Sequence, residues 1–147
     1  MSQGNAGNGA TAVMPSDADI RALAQRFFDA VERGDIDTLY DCYAPEAEIW
    51  HNTDDAVQNR ADNAATLKGF VARISNRVYA NRRLQVFPGG FVQQHELRGV
   101  RSDGVAVRLA ACLVCAVEDG RITRLDEYFD SAQVAQFRGG AAKSEPR

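Results

Sequence analysis

The sequence has 147 residues, of which 45% are hydrophobic and 25% charged, and its formal net charge is −3. These values are ordinary for one folded domain that buries its own apolar core. The weakly acidic balance, without a basic patch, argues against nucleic acid as a partner. No apolar run approaches the ~20 residues of a membrane-spanning helix, and no secretory leader is recognised, so we expect a cytoplasmic protein without membrane contact.

A single folded domain is predicted over residues 16–138. Residues 1–15 are rich in Gly, Ala and Asn and are expected to form a disordered tail. Residues 139–147 are expected to form a second flexible tail.

Three helices are predicted in the first half of the domain. The first is capped by Ser16 or Asp17 and ends at Gly34, and the second, shorter helix begins at Asp35. The third is predicted over residues 61–78. Apolar side chains recur with helical spacing in the two longer helices; they are Ile20, Leu23, Ala24, Phe27, Phe28, Val31, Leu67, Phe70, Val71, Ile74 and Val78.

Strands dominate the second half. A strand at 47–51 and a polar loop at 52–58 separate the second helix from the third. Four further strands, separated by Gly-containing turns, are predicted at 82–87, 91–100, 105–117 and 121–129, before a last helix at 131–137. This order predicts an α+β domain. We expect a cone-shaped α+β barrel, with three N-terminal helices packed on a strongly curved, mostly antiparallel sheet.

Three titratable side chains fall on otherwise apolar strand faces. Because successive side chains alternate between the two faces of a strand, His51, His95 and Glu127 are all assigned to the interior. Buried charges are costly unless they are paired or neutralised. Their convergence predicts a catalytic site, with His51 as the base and the other two as acid or orienting partners.

The same faces predict an apolar pocket around these groups. Its expected ligand-binding lining is Phe27, Phe70, Ile74, Gln93 and Leu125. A small apolar molecule is therefore the expected partner, bound without a cofactor. Catalysis, simple ligand binding and a structural role for the polar groups all remain open at this point. Two histidines and a carboxylate are also the ligands of non-haem iron enzymes, although no HxD or HxxxH spacing supports a metal.

The cysteines predict no disulfide framework. Cys42, Cys112 and Cys115 are odd in number, and the CxxC formed by the last two lies within a predicted strand. A separation of three residues on a strand places the two sulfurs on opposite faces, so we expect structural cysteines.

The predicted strand at 105–117 is apolar on both faces apart from Arg108. A second layer packed on the outer face of the sheet would explain this pattern, and we expect a homodimer formed through that face.

Three segments resemble the nuclear transport factor 2-like superfamily, and in particular its SnoaL-like polyketide cyclase and ketosteroid isomerase-like branch. They are residues 43–52 (YAPEAEIWHN), 91–99 (FVQQHELRG) and 120–130 (GRITRLDEYFD). The last also resembles limonene epoxide hydrolase. The resemblance implies the cone-shaped fold, and it implies proton removal next to a carbonyl, as in an isomerase or a cyclase, or alternatively epoxide hydrolysis or non-catalytic ligand binding.

The resemblance also implies residue roles. The general base of ketosteroid isomerases falls on His51, and Tyr43 or Tyr40 is a candidate for their oxyanion-stabilising tyrosine. The acid of limonene epoxide hydrolase falls on Glu127, and its water-binding asparagine falls on His51 or Asn52. Tyr43 and Asn52 thereby join the expected ligand-binding residues.

Overall fold

The structure is a computed structural model that describes residues 15–139. The predicted tails lie outside these residues except for Pro15 and Gly139. The elements in chain order are α1 (Asp17–Arg33), α2 (Ile36–Cys42), β1 (Tyr43–His51), β2 (Val57–Gln58), α3 (Arg60–Arg73), β3 (Ile74–Phe87), β4 (Gly90–Arg101), β5 (Ala106–Glu118), β6 (Arg121–Phe129) and α4 (Ser131–Arg138).

Helix α1 begins and ends where the sequence predicts, and α2 begins directly after the predicted Asp35. Ser16 Oγ accepts the N–H of Asp19 at 3.1 Å and caps α1. Gly34 ends the helix in the left-handed conformation, with φ of 77°, which glycine adopts without steric cost. Asp35 then caps α2 by accepting the N–H of Thr38 at 3.0 Å.

The strands form one curved, unclosed sheet in the order β2-β1-β6-β5-β4-β3. The β1–β6 pair is parallel, and the other pairs are antiparallel. Both long helices contact the sheet, and the apolar stripe of α1 is buried in the main core. The expected α+β cone fold is confirmed.

The predicted third helix is too long. Helix α3 ends at Arg73, and Ile74 already has an extended backbone with φ of −117° and ψ of 116°. Apolar residues at 74 and 78 continue a helical spacing in the sequence, but they belong to β3. The Arg77 guanidinium explains the change, because it donates to the carbonyls of Val71 and Ile74 and so supplies donors that a continuing helix would have provided. It also donates to carbonyls at the end of α1.

Strand β3 is eight residues longer at its start than the predicted strand at 82–87. Two irregularities interrupt its pairing with β4, and each contains an asparagine with positive φ, Asn76 at 52° and Asn81 at 57°. Each bulge shifts the alternation of side chains, which hides the strand from a search for period two. Strand β1 similarly begins four residues before the predicted position, and the predicted loop contains the short strand β2.

One face assignment on β6 is wrong. Strict alternation along β6 places Ile122 on the face opposite to Leu125 and Glu127, but Ile122 is fully buried. The register between β5 and β6 shifts at this point, so that Val117 pairs with Ile122 and Ala116 pairs with Arg124. The extra residue, Thr123, reverses the faces before it and leaves the assignment of Leu125 and Glu127 unchanged.

The cysteines are reduced, and those of the CxxC lie on opposite faces as predicted. Cys42 and Cys115 are buried, whereas Cys112 is half-buried on the other face of β5. Between residues 15 and 139, no helix has both the length and the apolar character needed to cross a membrane.

Candidate functional site

The central feature of the interior is a direct contact between His51 and Glu127. They are register partners on the parallel strands β1 and β6. Nε2 of His51 lies 3.2 Å from Oε1 of Glu127, and the two side chains are only 18% and 17% exposed to solvent. The sheet therefore brings together two of the three titratable groups that the sequence assigns to the interior.

The protonation of His51 depends on its neighbour. Burial alone would lower the pKa of His51, but the hydrogen bond to Glu127 and its negative charge outweigh burial and raise the pKa above the ordinary value. Among the more distant charges, Asp54 raises this pKa and Arg138 lowers it. The ring is also held by stacking on Phe129, with centroids 5.6 Å apart and planes 4° apart.

The pair borders two adjoining cavities. The inner one, of about 40 Å³, has a mainly apolar wall, and the outer one, of about 170 Å³, lies between the sheet, α3 and α4. The side chains that line both are His51, Leu67, Tyr79 and Glu127. A molecule that spans the two cavities would therefore pass directly beside the His51–Glu127 pair.

Tyr79 is a further polar side chain at this boundary. Within residues 15–139 the Tyr79 hydroxyl makes no hydrogen bond. Its oxygen is also not among the fully buried polar atoms that lack a partner. Burial, with the negative charge of Glu127, raises the pKa of Tyr79 well above its ordinary value. The phenol therefore stays protonated over the whole physiological range and is available as a hydrogen-bond donor.

His95 has a different environment. It is 6% exposed, and its ring contacts Phe28 and Tyr79 edge-on at centroid distances of 5.2 and 4.6 Å. Burial, with the positive charge of Arg82, lowers the pKa of His95 to about 4. This histidine is thus neutral at pH 7.

The tautomer of His95 follows from its neighbour on β4. The Gln93 amide lies 3.0 Å from Nδ1 and acts as donor to it, which leaves the ring proton on Nε2. Nε2 has no hydrogen-bond partner among the described residues. His95 lines neither cavity and forms no hydrogen bond with His51 or Glu127 there. The structure places it beneath Tyr79, where it supports that ring.

The expected ligand-binding residues divide into two groups. Phe27, Tyr43 and Leu125 line the inner cavity, and Phe70 lines the outer one. The Tyr43 hydroxyl is already engaged, since it donates to Oδ1 of Asn63 at 2.9 Å in a buried position.

The remaining expected residues, Ile74, Gln93 and Asn52, line neither cavity. Ile74 is buried in a second core cluster, and Gln93 is directed at His95. The Asn52 amide donates to the Phe129 carbonyl at 3.1 Å and accepts the Phe129 N–H at 3.0 Å. Asn52 thereby continues the backbone ladder of β1 and β6 beyond the end of the strand.

Tyr40, the other candidate for an oxyanion-stabilising tyrosine, is also outside the cavities. The Arg60 guanidinium lies over its ring, 4.1 Å from the centroid. In the described part of the chain, no three side chains among His, Cys, Asp and Glu are grouped so that they could hold a metal ion.

Comparison with known proteins assigns this chain to a family. The SnoaL-like domain model matches residues 24–125, which include His51 and end two residues before Glu127. The chain belongs to the SnoaL-like domain family. It is also 32% identical over 136 residues to the uncharacterized protein Rv0034 of Mycobacterium tuberculosis, with 84% of this chain and 98% of that protein covered.

Solved structures agree on the fold of this SnoaL-like domain. An LEH-like epoxide hydrolase from M. tuberculosis superposes with a TM-score of 0.70 at 20% identity, covering 87% of this chain and 96% of that one. A candidate polyketide cyclase from Xanthomonas campestris pv. campestris gives the same TM-score and identity, covering 80% and 97%. The nuclear transport factor 2-like fold expected from the sequence is thereby confirmed.

Sequence reasoning missed Tyr79 as a site residue in this domain. The predicted third helix ended at residue 78 and the next predicted strand began at 82, so Tyr79 was assigned to neither. In the structure Tyr79 lies on the half-buried face of β3 with Arg77 and Leu84, and the bulge at Asn81 conceals this alternation in the sequence.

Proposed function

We propose that this SnoaL-like domain is a cofactor-independent acid–base enzyme that removes a proton next to a carbonyl group of a small, mainly apolar molecule. The observation that carries the proposal is the His51–Glu127 pair at the boundary of the two cavities. Isomerisation and intramolecular cyclisation both begin with this step.

His51 serves as the base in the proposed reaction. In its neutral form it donates Nε2–H to the Glu127 carboxylate, which leaves the lone pair on Nδ1 to accept a proton. Nδ1 has no hydrogen-bond partner in residues 15–139. Glu127 stabilises the imidazolium that forms, and it fixes the ring orientation together with the stacked ring of Phe129.

Tyr79 complements the base. As the C–H bond breaks, its electron pair moves toward the carbonyl oxygen and an enolate develops. A protonated phenol that donates to this oxygen would stabilise the negative charge beside the largely buried His51–Glu127 pair. The imidazolium then returns its proton to another carbon in an isomerase, or the enolate carbon attacks a second carbonyl in a cyclase.

The dimensions of the site favour a small substrate. Clefts that hold drug-sized ligands enclose about 300–1,000 Å³. The outer cavity encloses about 170 Å³, which is below this range. The inner cavity, at about 40 Å³, adds room for one small apolar group. A monocyclic carbonyl compound suits these dimensions better than a fused-ring steroid.

Proton exchange tests the proposal without knowledge of the natural substrate. Cyclohexanone is incubated with the protein in D₂O, and loss of its α-proton signals is followed by NMR. We expect exchange above the buffer rate, reduced at least about 100-fold in His51→Ala, the usual range for a general base. Glu48→Gln is the matched control, because this exposed residue lies three positions earlier on the opposite face of β1.

Two outcomes would contradict acid–base catalysis. One is exchange that does not exceed the buffer rate, and the other is exchange unchanged in His51→Ala. If cyclohexanone nevertheless binds and is recovered without deuterium, a non-catalytic ligand-binding domain becomes the better interpretation.

A further inference from the structure

The wall of the outer cavity changes character from the interior to the mouth. Around the inner cavity the lining is mainly aromatic and aliphatic, whereas two arginines, Arg73 and Arg138, line the outer one. They come from separate elements, since Arg73 lies in the last turn of α3 and Arg138 in the last turn of α4. Both side chains are exposed and thus accessible from solvent.

The positive charge of these arginines is not neutralised within the described residues. Between positions 15 and 139, neither forms an ion pair with a carboxylate. Two acidic residues line the same cavity. Glu127 is paired with His51, and Asp54 accepts the backbone N–H of Ala56 at 3.0 Å. Glu127 also lines the inner cavity beside His51, so Asp54 is the lining carboxylate left to the two guanidinium groups, and it forms no ion pair with either within the described residues.

The Arg73 side chain lies over its own helix. Its Nη1 lies 3.3 Å from the point where a Cβ on Gly69 would stand, so the guanidinium folds back over the helix at a position that has no side chain. The positive charge of Arg138 also acts on His51, because it lowers the pKa of that residue.

We infer that the substrate class of this site is a small carbonyl compound that carries a carboxylate, with the carboxylate held by Arg73 and Arg138 at the mouth and the carbonyl beside His51 and Tyr79. This inference rests on the proposed acid–base function for the role of the carbonyl. The preference for an anion depends only on the two arginines. Guanidinium groups donate to carboxylate oxygens in a planar, paired geometry, which suits such a ligand.

A matched pair of probes separates charge from shape. The probes are 3-oxocyclohexane-1-carboxylate and 3-oxocyclohexane-1-carboxamide, which have the same ring and ketone and the same number of non-hydrogen atoms. Binding to the intact chain is measured by isothermal titration calorimetry at low and at high salt. We expect the carboxylate to bind about tenfold more tightly than the amide at low salt, with the difference shrinking as salt screens the arginines.

Substitutions locate the preference. Arg73→Gln and Arg138→Gln should each weaken carboxylate binding about threefold to fivefold, as expected for partly exposed ion pairs, and leave amide binding unchanged. Arg121→Gln is the control, because it removes the same charge from the exposed start of β6, outside both cavities.

Each outcome has a distinct meaning. Equal affinities for the two probes, binding of neither probe, or equal losses in the arginine and control variants would overturn the anionic substrate class. None of these results bears on α-proton exchange of the uncharged cyclohexanone, which tests the acid–base function separately. Conversely, a selective carboxylate site without exchange would support this inference and refute catalysis.

Discussion

His51 and Glu127 face each other because β1 and β6 run parallel and in register. The Cα pairing of these two residues directs both side chains to the same face, and the Nε2–Oε1 distance of 3.2 Å follows from it. The backbone on either side is also fixed, since the Asn52 N–H donates to the Glu127 carbonyl at 3.0 Å. The juxtaposition of the two residues is therefore set by the backbone pairing of β1 and β6.

The first prediction concerns the pKa of His51. Glu127→Gln removes the negative charge that raises the pKa of His51. Burial, which lowers this pKa, then has less to counteract it, so the pKa of His51 should fall. Since the neutral ring is the proposed base, the rising limb of the pH–rate profile should move to lower pH by the same amount. NMR titration of the His51 ring protons measures the first effect and the exchange assay the second.

Asp126→Asn serves as the control for this substitution. Asp126 is the neighbour of Glu127 on β6 and pairs with Arg124 on the other face. The Asp126→Asn substitution should therefore leave the titration of His51 unchanged. A titration that is equally unchanged in Glu127→Gln would show that the contact does not set the protonation of His51.

The second prediction concerns acid stability. The native pKa of His95 is about 4, below its ordinary value of 6.5, so the unfolded chain takes up more protons between these limits. Stability should therefore fall as pH decreases from about 6.5 to 4, by about 3 kcal/mol from this residue. His51 acts in the opposite sense, because its raised pKa contributes stability that is present below 6.5 and lost as pH rises through the native value.

His95→Asn isolates the acid effect. An asparagine can still accept from the Gln93 amide but does not titrate, so its urea-unfolding free energy should decrease less between pH 6.5 and 4 than that of the wild type. The comparison uses the change with pH, since the smaller side chain lowers stability at every pH. Parallel pH dependences in the two proteins would refute the assignment of His95 as a buried neutral group.

The sequence was sufficient where side-chain alternation is uninterrupted. Strand β4 pairs with β5 without a break, and Gln93 and His95, which its alternation assigns to the interior, are both buried. The same alternation placed His51 and Glu127 in the interior. A contact between them was not predictable, because it depends on β1 joining β6 in parallel, a long-range pairing that local patterns do not encode.

The errors have two physical causes. Asn76, Asn81 and Thr123 lie at bulges that shift the alternation, so Tyr79 was missed and Ile122 was placed on the wrong face. The end of α3 depends on Arg77, whose guanidinium reaches carbonyls of two helices that are distant in sequence. Neither a bulge nor a side-chain cap of this kind interrupts the apolar spacing on which the helix prediction relied.

The third prediction separates two tyrosines of the interior. Tyr79→Phe should leave stability nearly unchanged, because its hydroxyl has no hydrogen-bond partner in the described chain, but should slow proton exchange about tenfold or more if it stabilises the enolate. Tyr43→Phe should show the reverse pattern. It leaves the Asn63 amide without its buried donor, at a cost of about 1–3 kcal/mol, while the reacting groups stay in place.

Thermal unfolding and the exchange assay on both variants decide the matter. A Tyr79→Phe protein with wild-type exchange would remove Tyr79 from the proposed mechanism. A loss of stability as large as that of Tyr43→Phe would show instead that its hydroxyl has a structural partner.

The last prediction concerns assembly. We propose a homodimer formed through the outer sheet face, where the side chains of Ala110, Cys112, Val114 and Ala116 alternate with the buried ones of β5. Beside them Tyr128, 48% exposed, contacts the Trp50 ring edge-on at 5.2 Å. An apolar strip of this kind on a central strand is costly to leave in water, and a second copy of the same face would cover it.

Light scattering coupled to size exclusion tests the dimer. The wild type should elute at twice the mass of one chain, and Val114→Arg should elute at the mass of one chain, because an arginine at the middle of the strip would bury an unpaired charge. Val105→Arg makes the same replacement at an exposed residue of the β4–β5 turn and should remain dimeric. A wild-type protein at the mass of one chain would refute this interface, and the apolar outer face of β5 would then need another partner.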